Sequence, residues 1–68
     1  MKIFQERLKE MRKIYGYTQR QMAEFLNISQ PSYIRYENGS AEPSQENLLK
    51  ISEIFDVSTD YLLGKDDI

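Results

Sequence analysis

The chain has no cysteine, no histidine and no tryptophan among its 68 residues. Each absence removes a class of chemistry. Without cysteine there is no disulfide framework and no thiolate. Without cysteine and histidine, the usual zinc ligand sets and the Ser/His and Cys/His catalytic groupings lack their central residues. No metal, no cofactor and no enzymatic activity are therefore expected. No apolar run exceeds three residues, against the roughly 18 of a membrane span. The Met1-Lys2-Ile3-Phe4 start has no apolar stretch of the signal-peptide kind. The expectation is a small soluble domain of the cytoplasm, with no membrane partner. At this length only about 60% of the unfolded surface can be buried, which allows one core and no second domain.

Positive charge is also in short supply. Nine Lys and Arg against eleven Asp and Glu leave a formal −2 and a pI near 5.0. Taken whole, that balance speaks against a nucleic-acid partner. The total hides a split. Residues 1–39 carry seven bases and four acids, a balance of +3; residues 40–68 carry two bases and seven acids, a balance of −5. Such an asymmetry between halves is itself informative about partners.

What is present is helix punctuation. A helix start favours an apolar residue, then a Ser or Thr N-cap, then an apolar residue at N4 that closes a hydrophobic staple. Tyr17-Thr18 with Met22, Ile28-Ser29 with Tyr33 and Val57-Ser58 with Leu62 follow this pattern. Pro43-Ser44 with Leu48 follows it except for the proline. Gln21 completes a capping box with Thr18. Gly16, Asn27, Gly39, Asp56 and Gly64 stand where stops are needed, at positions that tolerate a left-handed residue. Five helices are predicted, over about 3–15, 18–26, 29–38, 44–55 and 58–63. Phe4, Leu8, Met11 and Tyr15, and Leu48, Ile51 and Phe55, fall at helical spacing. No segment alternates with period two, so the class is all-α.

The second and third predicted helices are joined by very few residues, Leu26-Asn27-Ile28-Ser29. So short a link forces a sharp angle, with small Ala23 facing the crossing. Met22, Leu26, Ile28, Tyr33 and Tyr36 fill the angle. That is the pattern of a helix-turn-helix.

The segments Arg7-Leu8-Lys9-Glu10-Met11-Arg12, Gly16-Tyr17-Thr18-Gln19, Met22-Ala23, Tyr36-Glu37-Asn38-Gly39, Pro43-Ser44 and Asp60-Tyr61-Leu62-Leu63-Gly64 carry a resemblance. From Phe4 to Gly64 the chain resembles the lambda-repressor-like, or xenobiotic-response-element (Cro/C1-type), regulators of bacteria and phages. The resemblance implies a compact five-helix DNA-binding domain over residues 1–64, with residues 65–68 a polar tail or the start of a linker. It implies a sequence-specific transcriptional regulator, a repressor, that binds a pseudo-palindromic double-stranded operator as a homodimer. Gln30, Pro31, Ile34 and Arg35 then face the major groove. Thr18, Gln19, Asn38 and Ser40 are the expected phosphate contacts, although a basic residue is frequent where Ser40 stands. Arg12 and Glu37 match an internal ion pair. The turn commonly carries glycine where this chain has Asn27.

The chemistry of these residues suits those roles. A helix N-terminus presents unpaired N–H groups and a partial positive charge to phosphate. Ser29 to Tyr36 contains no acid and one base, Arg35. Gln can pair bidentately with adenine and Arg with guanine, and apolar groups can pack on thymine methyls. Leu49, Thr59 and Tyr61 are the expected dimer contact. Phe25 is expected to pack laterally on Ile14, with Ile34 exposed and Tyr33 and Tyr36 in the core. The alternative is a protein-interaction or antitoxin-like module on the same scaffold, favoured by the acidic pI.

Overall fold

Hydroxyl side chains set where four of the five helices begin. The computed structural model describes residues 2–65. It consists of α1 (Lys2–Tyr15), α2 (Gln19–Leu26), α3 (Gln30–Asn38), α4 (Gln45–Phe55) and α5 (Thr59–Leu63), with no strand among the described residues. Thr18, Ser29, Ser44 and Ser58 have extended backbone and accept the N–H of Gln21, Ser32, Asn47 and Tyr61. This moves each of those helices one residue inward of the predicted start: the capping residue closes the end but is not itself helical. Of the expected tail 65–68, residues 66–68 lie outside the described residues. Lys65 N donates to Asp60 O at 2.9 Å, closing the end of α5.

Two stops use residues other than glycine. Asn27 (φ 56°) and Asp56 (φ 52°) both take the left-handed conformation. The Asn27 N–H closes onto the Ala23 and Glu24 carbonyls. Asn reaches this region more easily than most side chains. Asn27→Ala is therefore expected to destabilise the domain by about 1 kcal/mol. Asn27→Gly should change stability by less than about 0.5 kcal/mol, because relief of strain is offset by a freer unfolded chain. Urea unfolding checks both; equal effects would remove the conformational explanation. Gly64 (φ 83°) meets a second constraint, since a Cβ there would lie 2.8 Å from Ile3 Cγ2.

One core draws on all five helices. Phe4 and Leu8 come from α1, Met22, Ala23 and Leu26 from α2, Tyr33 and Tyr36 from α3, Ile51 and Phe55 from α4, and Leu62 from α5. The inner stripe of α1 turns outward at its end. Met11 is half-buried, and Tyr15 is 42% exposed. Tyr15 still serves packing: its hydroxyl donates to Phe55 O at 2.9 Å and its ring lies edge-on to Phe55 at 5.2 Å.

The packing of Phe25 differs from the sequence expectation. Ile14 is 67% exposed, and Phe25 instead meets Tyr17 edge-to-face, 5.0 Å between centroids. The left-handed Gly16 turns the chain so that Tyr17 N bonds back to Arg12 O, which places the Tyr17 ring beside α2. Ile34 is half-buried rather than exposed. Midway along α1, the Arg7 guanidinium sits 4.3 Å from the Tyr61 ring centroid and donates to the Tyr61 carbonyl. That contact ties α1 to α5.

Candidate nucleic-acid interface

The link between α2 and α3 is three residues long, Asn27-Ile28-Ser29. Ala23 is buried in the core that these helices share, as are Met22, Leu26, Tyr33 and Tyr36. The outer side of α3 carries Gln30, Pro31, Ile34 and Arg35, at i, i+1, i+4 and i+5, which share one helical face. Gln30, Pro31 and Arg35 are exposed. Pro31 stands in the first turn, where its missing N–H costs no helical bond. No acid falls in the first turn of α2 or of α3. Glu24, the one acid on α2, lies 3.8 Å from Arg20.

The start of α2 is tightly specified. Thr18 N donates to Gln21 Oε1 at 2.9 Å, and Gln21 N donates to Thr18 Oγ1 at 3.0 Å. The first intrahelical bond runs from Met22 N to Thr18 O. The N–H groups of Gln19 and Arg20 precede it, and such groups suit an anion. At the other end of α3, Asn38 Oδ1 accepts both the Ser40 N–H (2.9 Å) and the Ser40 hydroxyl (2.6 Å). Asn38 therefore keeps its amide hydrogens as donors, while the Ser40 hydroxyl hydrogen is already used within the loop.

A buried carboxylate joins these parts. Glu37 is 4% exposed. Its Oε2 accepts Arg12 Nε at 2.6 Å and the Tyr33 hydroxyl at 2.5 Å. Its Oε1 accepts Arg12 Nη2 and Gln19 Nε2, each at 3.2 Å. Arg12 Nη1 also donates to Tyr17 O at 3.0 Å. Among the described residues, no buried side-chain nitrogen or oxygen lacks a partner. Burial pushes the Glu37 carboxyl up, but the hydrogen bonds from Arg12, Tyr33 and Gln19 outweigh it and hold the group below the usual carboxylate range. Burial, then the Glu37 hydrogen bond, pushes the Tyr33 hydroxyl well up, so it remains a neutral donor. The Glu37 hydrogen bond likewise raises Arg12. The sequence pairs Arg12 with Glu37 by resemblance but leaves the contributions of Tyr33 and Gln19 unread. The i, i+4 spacing of Tyr33 and Glu37 was the available signal.

Leu49, 56% exposed, lines a shallow hollow with Gln45, Leu48 and Thr59. Tyr61 lies apart from that hollow, against Arg7.

A sharp two-helix turn on a five-helix core, with a polar and acid-free outer face on its second helix, defines a helix-turn-helix domain of the lambda-repressor-like fold. The helix-turn-helix family matches residues 8–62, and the chain belongs to it. It is 49% identical over 63 residues, 93% of its length and 50% of the relative's, to the transcriptional regulator ImmR of Bacillus subtilis. It is 46% identical over 65 residues to the cryptic phage CTXphi repressor RstR of Vibrio cholerae, covering 96% of this chain and 57% of that one. The P22 c2 repressor, solved in complex with a synthetic operator, superposes with a TM-score of 0.85 at 32% identity; the match covers 93% of this chain and 96% of that one. A transcriptional regulator from Listeria innocua gives 0.86 at 33%, covering 90% and 57%. The chain spans about half the length of the curated relatives it matches.

Proposed function

We propose that this domain binds double-stranded operator DNA sequence-specifically and regulates transcription in the cytoplasm as a repressor. The observation that carries the reading is the outer face of α3. It offers Gln30, Pro31, Ile34 and Arg35 without a carboxylate, on a helix whose placement is fixed by Glu37. The likeness to a repressor solved on its operator supports the same docking, with α3 in the major groove. Gln30 and Arg35 then read bases, and Pro31 and Ile34 pack on apolar base edges. The N-terminus of α2, through Thr18 and Gln19, and the free amide hydrogens of Asn38 hold phosphates, while Ser40, with both its donors on Asn38 Oδ1, orients that amide. A homodimer formed around Leu49 and Thr59, with Tyr61 at its margin, would place half-sites about one helical turn apart.

The test is binding across a salt series, followed by site selection from random DNA. Log K should fall linearly with log salt as phosphates are neutralised. No retention on any DNA at low salt would overturn the reading. The acid surplus of residues 40–68 favours a protein-interaction module instead, and that outcome would select it. Two substitutions separate the contact types. Arg35→Ala is expected to relax preference at one base position and to cost about 1–3 kcal/mol there. Gln19→Ala should weaken all sequences alike. Uniform losses from both would invalidate the division into base and phosphate contacts.

A further inference from the structure

Gln19 and Glu37 are 18 positions apart in sequence and joined by a hydrogen bond of 3.2 Å. Gln19 opens α2, half-exposed at the helix start; Glu37 is buried in the last turn of α3. We propose that Glu37 is a positioning residue for the phosphate grip, acting through Gln19. The inference rests on the DNA-binding reading above.

A glutamine side chain has several freely rotating bonds, and ordering it on contact costs affinity. Its carboxamide is planar and carries two N–H donors on one nitrogen. Giving one of them to Glu37 fixes the amide plane before any ligand arrives. The other N–H is left as a donor at the start of α2, beside the backbone N–H groups of Gln19 and Arg20. Glu37 is a firm anchor because three further donor bonds hold it, two from Arg12 and one from Tyr33. The same carboxylate thus fixes the angle of the two helices and aims a side chain at their edge. An anchored Gln19 also keeps the Glu37 charge covered on the side that would face DNA.

Two measurements test this. The first uses the unaltered protein without DNA. Side-chain ¹⁵N relaxation should show the Gln19 amide ordered, and the exposed Gln30 and Gln45 amides mobile. Equal mobility of Gln19 and Gln30 would overturn the proposal, and no variant has to fold for that result. The second is a double-mutant cycle on binding, run at low temperature with each variant confirmed folded by circular dichroism. Glu37→Gln should lower affinity by about 2- to 10-fold on every sequence. In a Gln19→Ala background the same change should cost clearly less, because only its effect through helix placement remains. Losses that multiply would make Glu37 structural only, and the proposal would fail. Failure of the unaltered protein to bind DNA would instead overturn the functional reading, while the relaxation result would still stand or fall on its own.

Discussion

Glu37→Ala is expected to destabilise the domain by about 3–5 kcal/mol, the usual cost of removing one partner from a buried ion pair. The reason is what remains. Arg12 is only 14% exposed by its side chain and would be left with the Tyr17 carbonyl as its acceptor. The buried Tyr33 hydroxyl would lose its acceptor, and Gln19 its anchor. A domain of 68 residues has roughly 3–10 kcal/mol of stability in all. The loss is therefore comparable with the whole. Urea unfolding followed by far-UV circular dichroism at neutral pH checks it; a loss below about 1 kcal/mol would mean that the network contributes little beyond packing.

The same carboxylate sets an acid limit. The folded-state pKa of Glu37 is depressed, so as pH falls the unfolded chain takes up the proton first. The stabilisation is present in full above the ordinary glutamate range, near about 4.3. It is lost as pH falls through the folded value. In Glu37→Gln the part of the acid slope owed to this group should disappear, whatever the variant's stability at neutral pH.

Much of the fold was legible because its signals are local. Thr18, Ser29, Ser44 and Ser58 act on N–H groups three residues away, and Asn27 and Asp56 act on carbonyls three or four residues back. A sequence displays such spacings directly. That Gln30, Pro31, Ile34 and Arg35 share one side of α3 was legible for the same reason, since one helix carries them. The remainder is tertiary. Nothing local to Gln19 indicates a buried carboxylate 18 residues on. Nothing in Ser40 reveals that its hydroxyl hydrogen is taken by Asn38. Phe25 shows the limit most clearly. The sequence expectation pairs its ring with Ile14, but the aromatic partner, Tyr17, comes from the connecting turn. A loop's path depends on backbone angles that residue periodicity does not encode.

That aromatic cluster supplies the second large effect. Phe55→Ala is expected to cost about 3–5 kcal/mol, whereas Phe25→Ala should cost about 1 kcal/mol. The residue type and the truncation are the same, and both rings touch Tyr17. Burial separates them. Phe55 is 1% exposed and Phe25 46%. Removing the Phe55 ring opens a void in the core and also strips Tyr15 of its edge-on contact. The Tyr15 hydroxyl bonds the Phe55 backbone carbonyl, so that bond survives truncation and the comparison isolates the ring. Removing the Phe25 ring exposes one side of Tyr17 to water, which can fill the space. The two unfolding curves should differ in midpoint and share a slope, since both variants expose nearly the same surface on unfolding. Similar costs for the two would mean that Phe25 is more deeply packed than its exposure indicates. In that case the aromatic cluster, rather than the interior face of α4, would hold the α1–α2 turn in place.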